Sequence, residues 1–449
     1  MNVIEIKKKY SAYPKYKRSG IDWLGNIPED WEAQTLKNLG FFTSSGIDKK
    51  IVEGEPLVKM VNYTDIYGNT SLIIDKNREL MTVSCPAWKV LKSDLTSGDL
   101  VFTPSSETTE DIGLSALIFE KLKNTVFSYH VIRFRFKQVF DHLFKKYLCN
   151  NNFVLQQFTQ LAKGTTRQII DRNDFKNICV VIPTLKVQEY ISKFLDNQIE
   201  KIDLIIEKKQ KLIELLKEKR TVLISQTVAK GLDPQDELKF SGIEWLGDIP
   251  DDWKVKRIKD VTSINSETLS ENTPSEYYLK YIDISNVDSE GKIIGIVEMY
   301  FENAPSRARR IVIKKDVIIS TVRTYLKAIS YLDNVEENTI VSTGFAVLRS
   351  KKDILPNFLN YFVRSNNFID SVMSHSEGVS YPAINPTILG GLKICFPNIE
   401  QQKIIADFLD TAVNKINKAI EKIQQQIEFI KEYRMTLITN AVTGKIRIN

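Results

Sequence analysis

A chain of 449 residues with 43% hydrophobic and 10% aromatic residues is too long for one ordinary core, so at least two folded units are expected, and its 26% of charged residues show no disordered tail. Cys85, Cys149, Cys179 and Cys395 lie far apart, form no CxxC pair and have no histidine at ligand spacing, which excludes a disulfide framework and a zinc site. A net charge of +6 agrees with nucleic-acid binding without establishing it; the opening MNVIEIKKKYSAYPKYK has no apolar leader core and no stretch reaches the ~18 apolar residues of a membrane span, so a cytoplasmic protein with no membrane partner is expected.

The first recognisable segment is Ser19-Gly-Ile-Asp-Trp-Leu-Gly-Asn-Ile-Pro-Glu-Asp-Trp31, which returns as Ser241-Gly-Ile-Glu-Trp-Leu-Gly-Asp-Ile-Pro-Asp-Asp-Trp253, 222 positions later. Trp23, Trp31, Trp245 and Trp253 sit in this shared frame with Leu24 and Leu246, so packing is a better account of them than base stacking. Lys49 and Lys50 follow Thr43-Ser-Ser-Gly46 as phosphate candidates.

Strands are predicted at Leu100–Phe102 and Val131–Phe136 and a helix around Phe140–Phe158. The segment Thr103–Gly113 is acidic; its Ser105 and Ser106 can reach bases or phosphates, or the loop can simply face solvent. Gly164-Thr-Thr-Arg-Gln168 offers close backbone approach with Thr166, Arg167 and Gln168 as donors.

Ile182-Pro183-Thr-Leu-Lys-Val-Gln188, then Phe194-Leu-Asp196, matches Phe396-Pro397-Asn-Ile-Glu-Gln-Gln402, then Phe408-Leu-Asp410, at an offset of 214. No Pro or Gly follows Pro183 until Gly231, or Pro397 until Gly444. A 3-4 alternation picks out Ile191, Leu195, Ile202, Ile205, Leu212, Leu216 and Leu223, interrupted by Gln198, Lys209 and Lys219. The second run gives Ile405, Leu409, Ala412, Ile416, Ala419, Ile423, Ile430, Tyr433 and Leu437, and both are coiled-coil seams. About 40 helical residues span about 60 Å, a rigid spacer.

Between the anchors the halves diverge, with faint echoes such as Gly98-Asp99-Leu-Val-Phe against Lys315-Asp316-Val-Ile-Ile. The second insert reads as strands at Ile311–Ile313, Val317–Ser320 and Gly344–Leu348 and a helix at Pro356–Met373. Its stretch from Tyr300 to Ser330 sets Arg307, Arg309, Arg310, Lys314, Lys315, Arg323 and Lys327 against only Glu302 and Asp316. Interleaved with Thr321 and Tyr325, these cations suit phosphates, and an arginine fork suits guanine, although a charge run is more often a solvated face. Tyr381 and Asn385, in Gly378-Val-Ser-Tyr-Pro-Ala-Ile-Asn385, occupy the place equivalent to Thr166–Gln168; a turn held by side-chain hydrogen bonds is the competing account.

The duplicated SGI-(D/E)-WLG-x-IP-x-DW segment, the Pro-x-x-x-x-Gln helix starts, the Arg220-Thr-Val-Leu-Ile and Arg434-Met-Thr-Leu-Ile helix ends and Gly164–Ile170 together resemble the specificity subunit of type I restriction-modification systems. The resemblance implies an α+β chain with an internal pseudo-two-fold repeat. Residues 1–185 and 233–398 would be mixed α/β target-recognition domains, and 186–232 and 399–449 two long antiparallel helices. It also implies double-stranded DNA as ligand, a split asymmetric site with one domain per half, two modification subunits as partners for adenine methylation, and a restriction subunit for cleavage where the system has one.

No N-P-P-Y or D-P-P-Y tetrapeptide, G-x-G cofactor loop or Walker A sequence is present, and His130, His142 and His375 are isolated, so neither a cofactor nor a catalytic role is expected. The alternatives are a coiled-coil scaffold that never touches DNA, and a nuclease or methyltransferase with an undetected site.

Overall fold

The chain, seen in a computed structural model that describes residues 10–109 and 111–448, divides into two compact units, Met1–Lys209 with Gln424–Asn449, and Gln210–Ile423. Most of the opening segment read for a leader, residues 1–9, lies outside the described residues. Two long helices, Leu185–Lys230 and Ile399–Val442, are each shared, so each unit holds the start of one and the end of the other. Among the described residues no helix is long and apolar enough to cross a membrane.

Within each unit the two helix segments run antiparallel. In the first, Asp203 meets Arg434 at 3.3 Å and Lys209 Nζ donates to Gln426 Oε1 at 2.7 Å, so numbers rise on one helix as they fall on the other. In the second, Arg220 Nη1 donates to Asn417 Oδ1 at 2.5 Å, while Val228 lies beside Cys395, just before the partner helix begins. The seam of the second helix lies where expected, with Ile405, Leu409 and Leu437 buried and Val413, Ile420 and Ile427 added to it.

The first helix departs from its expected seam. Ile191, Leu195 and Ile202 are buried, but Ile205 and Leu212 are exposed, and the inward positions are Ile206, Ile213 and Ile224. Ile205-Ile206, Leu212-Ile213 and Leu223-Ile224 are adjacent apolar pairs, so periodicity alone leaves the register one residue ambiguous. The polar seam members decide it: Lys209 and Arg220 must face Gln426 and Asn417 to be satisfied.

The first unit carries a five-stranded sheet in the order Gly40–Ser44, Ile132–Phe136, Leu100–Phe102, Ser115–Ile118, Ile73–Ile74, and a three-stranded sheet of Thr125–Phe127, Leu57–Val61 and Met81–Ser84. The second carries two four-stranded sheets. One runs Thr262–Ile264, Phe345–Ser350, Val317–Ser320, Ile329–Tyr331, and the other Val297–Tyr300, Tyr278–Ile282, Thr339–Ser342, Ala308–Ile311. The expected strand at Ile311–Ile313 is therefore Ala308–Ile311, which starts three residues earlier and takes in Arg309 and Arg310.

Each expected insert helix is two. Phe144–Cys149 and Asn152–Leu161 part where Asn151 caps the second by accepting from Val154 N at 3.2 Å; Pro356–Val363 and Asn366–Ser374 part where Ser365 accepts from Phe368 N. Asn and Ser compete with the helix for backbone hydrogen bonds, so they punctuate a run that hydrophobic spacing reads as continuous.

The repeated sequence positions build repeated contacts. Ser19 and Ser241 hydroxyls each fold back on the residue two ahead, turning the hairpins Tyr16–Arg18/Asn26–Pro28 and Leu238–Phe240/Asp248–Pro250. Gln188 donates to Pro183 O at 2.9 Å and accepts from Asp141 N at 2.9 Å; Gln402 donates to Pro397 O at 2.9 Å and Asp353 O at 3.0 Å and accepts from Leu355 N at 2.8 Å. These buried amides tie each helix start to the insert that precedes it. Asp196 and Asp410 accept from the Tyr147 and Tyr361 hydroxyls.

The faint Asp99/Asp316 echo proves to be a buried carboxylate gripped by two guanidinium nitrogens, Arg135 at 2.8 and 2.7 Å, Arg349 at 2.9 Å twice. Trp31 and Trp253 are core residues, Trp245 packs half-buried against Phe368, and Trp23, 53% exposed, covers Phe153 with one face.

Candidate nucleic-acid interface

In each unit two loops from distant parts of the insert are joined. In the first, Gly164 starts a tight hairpin closed by Lys163 and Ile169, and Gln168–Ile169 pairs with Ser105–Ser106. A side chain at Gly164 would bring a Cβ to 2.1 Å from Arg167 O, so only glycine closes this turn. In the second unit Glu377 and Ala383 close the corresponding hairpin after Gly378, Ala383 bridges to Val322, and Arg323 N donates to Pro382 O at 2.7 Å. The acidic Thr103–Gly113 segment and the basic Ser320–Lys327 segment thus occupy equivalent places with opposite charge.

The second unit presents the more developed surface. A cleft of about 630 Å³ is lined by Asp283, Ser285, Asp288, Arg307, Arg323 and Tyr381, among others. Arg307 pairs with Asp283 at 2.5 Å, and the Tyr281 and Asp283 side chains hold its guanidinium above the ordinary arginine value. Arg323 is exposed, and its guanidinium lies over the Tyr381 ring at 4.6 Å from the centroid. Among the described residues that fork has no hydrogen-bond partner, so its donors face outward. Arg323 and Lys327 flank a single helical turn, Thr324–Leu326, and both are left-handed, with φ of 50° and 55°. Such backbone costs energy in a non-glycine residue and persists only where surroundings impose it; the Arg323–Pro382 bond and the Thr324–Ser376 hydroxyl contact at 3.1 Å do so here. Tyr325, half-exposed, crowns the turn.

Other sequence candidates have different surroundings. Lys327 lines a crevice with Arg220 and Arg364, not the open cleft. Arg309 lies over the Phe301 ring at 4.7 Å and Arg310 donates to Thr268 Oγ1 at 3.1 Å; both are half-buried on the sheet strand, and burial lowers the Arg310 pKa. Thr321 is buried with its hydroxyl on Gly344 O, and Asn385 accepts from Thr387 N as a helix cap.

In the first unit Ser106 is buried and shapes its own loop, Ser105 is half-buried, and Gln168 donates back to Gly164 O at 2.8 Å. Thr166, Arg167, Lys49 and Lys50 are exposed. His130, isolated in sequence, lies where Arg167 and Lys49 act on it: burial first, then those two cations, hold it below the ordinary histidine value. Its ring stacks on Tyr129, 49% exposed, at 3.8 Å. Lys49, Tyr129, His130 and Arg167 therefore gather positive charge and an aromatic face on one surface. Nothing local in sequence pointed to Tyr129 or His130, because three separate segments bring the group together. Among the described residues no three His, Cys, Asp or Glu side chains converge as a metal site.

The family model for the type I restriction modification DNA specificity domain matches residues 28–215 and 250–429. The chain is 30% identical over 295 residues to the type I restriction enzyme MjaVIII specificity subunit of Methanocaldococcus jannaschii, covering 64% of this chain and 66% of that one. To the putative MjaX specificity subunit of the same organism it is 25% identical over 434 residues, covering 95% and 96%. The fold is that of a solved chain described under "Structural basis underlying complex assembly and conformational transition of the type I R-M system", with a TM-score of 0.66 at 16% identity, covering 94% of this chain and 99% of that one. The family matches fall on both halves and take in the joined loops of each insert and most of both long helices, so the chain belongs to the type I restriction-modification specificity subunits and carries two copies of their DNA specificity domain.

Proposed function

We propose that this chain reads a split, asymmetric site in double-stranded DNA, one half through each recognition domain, 1–185 and 233–398. It directs partner subunits, two modification subunits and a restriction subunit where present, to methylate adenine and cleave, in the cytoplasm and without catalytic groups of its own. The inserts differ while the frame repeats, so the two half-sites differ in sequence.

The observation that carries the reading is Arg323: an exposed guanidinium stacked on Tyr381, held by a strained turn, with its donors unspent. A planar fork fixed in this way loses little freedom when it grips the O6 and N7 of guanine. Arg307 and Tyr325 flank it, and Lys49, Lys50, Thr166 and Arg167 form the corresponding surface of the first unit. Arg309, Arg310, Lys327, Ser105, Ser106, Gln168, Thr321 and Asn385 shape these surfaces or add charge behind them.

Arg323→Ala in the assembled system should relax one base position of one half-site, at a cost of roughly 1–3 kcal/mol, with the other half unchanged. Sequencing of methylated adenines in a host carrying the variant reads this directly. Equal weakening at all sequences with a shallower salt dependence would make Arg323 a phosphate contact, and an unchanged motif and affinity would remove it from the interface.

A further inference from the structure

Arg220 and Arg434 occupy matching places near the two helix ends, 214 positions apart, and each bridges the antiparallel helix and the insert of its unit through different partners. Arg220, 8% exposed, places its two terminal nitrogens on the two Glu290 carboxylate oxygens, both at 2.9 Å, and also reaches Asn417 on the antiparallel helix at 2.5 Å. Glu290 directly follows the segment from Asp283 to Ser289 that lines the cleft. The backbone there is held again by Arg364, which donates to Glu290 O, and by Ser330, which donates to Gly291 O at 2.8 Å.

In the first unit Arg434 lies 3.3 Å from Asp203 on its antiparallel helix and donates to Thr70 O at 2.8 Å. Thr70 belongs to the turn after Tyr67, whose hydroxyl donates to Asp111 at 3.2 Å. Asp111 also accepts from Thr108, in the loop that holds Ser105 and Ser106. Arg220 therefore links its helix pair to the segment that lines the cleft, and Arg434 links its helix pair to the turn at Thr70, which the Tyr67–Asp111 hydrogen bond joins to the loop of Ser105 and Ser106.

We propose that Arg220 and Arg434 are positioning residues for DNA reading, each fixing the recognition loop of its own unit against its helix pair. Arg220 follows the first recognition domain in sequence but acts on the half-site read by the second; Arg434 follows the second and acts on the half-site read by the first. The two-pronged Arg220–Glu290 contact sets orientation as well as distance, the Arg434–Thr70 hydrogen bond sets distance, and a reading group tolerates about 0.5 Å of misplacement. The proposal rests on the half-site reading above.

The test uses the assembled system with full-length variants and sequences the methylated sites. Arg220→Ala and Glu290→Ala should each raise methylation about tenfold at sites with one altered base in the half that Arg323→Ala also relaxes. Their double variant should be no worse than either alone, because one contact is lost once. Arg434→Ala should relax only the other half. The milder Glu290→Gln and Arg434→Lys decide the matter if an alanine variant does not fold, and should show the same half-site assignment with smaller effect. An unchanged motif in folded variants, additive effects of Arg220 and Glu290, or relaxation of the same half by Arg220 and Arg434 would overturn the proposal. If Arg220→Ala relaxes one half and Arg323→Ala relaxes none, the assignment of Arg323 fails and the positioning role stands.

Discussion

Single side chains matter here through buried polar contacts that the repeat writes twice. Gln402 is fully buried and serves three backbone groups, so Gln402→Ala leaves Pro397 O, Asp353 O and Leu355 N without that partner. A loss of about 2 kcal/mol of stability is expected in urea denaturation, with a similar loss for Gln188→Ala. The Glu290 carboxylate gives a pH signature. Hydrogen bonding from Arg220 holds it below the ordinary glutamate range. A depressed acid stabilises the fold above its unfolded pKa of about 4.3 and loses that contribution as pH falls through its lower folded value. The stability gap between the native chain and Glu290→Gln should therefore be full near neutrality and close as the pH drops below about 4.

At the scale of elements, the long helices are set by polar as much as apolar residues. Lys209 and Arg220 break the hydrophobic seam, and their partners Gln426 and Asn417 fix which of two adjacent apolar residues turns inward. A polar seam residue that selects register at some cost in stability is a familiar coiled-coil device. We expect helix length to set the unread spacer between half-sites. Inserting four residues near Lys209 and a matching four near Gln424 adds about 6 Å with little rotation, since four residues nearly complete a turn. The methylated motif of that variant should show a spacer longer by one or two base pairs with both half-sites intact. An unchanged spacer in an active complex would assign the distance to something else.

At the scale of the molecule, the repeated frame makes each insert an exchangeable part. Replacing the insert between Trp253 and Pro397 with that of a relative should change one half-site and leave the other as it was. A folded chimera with both halves changed, or neither, would contradict the modular reading. The exchange should keep residue 290 acidic, because Arg220 lies outside the insert and depends on it.

The sequence by itself determined the two-fold plan, the helix starts at Pro183 and Pro397, and the framework role of the tryptophans, because these rest on repetition and periodicity, which a linear string displays. It also singled out Arg323 and Arg167, which the structure leaves exposed on loops. Only the tertiary structure decided which cations are spare. Arg309 and Arg310 are taken up by Phe301 and Thr268, and Asn385 by a helix cap, while Arg323 keeps its donors free beside Tyr381. The structure likewise brought Tyr129 and His130 beside Lys49 and Arg167, and gave the end of each helix to the unit that its own recognition domain does not belong to. Such pairings join residues up to several hundred positions apart, and charge or spacing along the chain carries no record of which group a side chain will meet once the chain is folded.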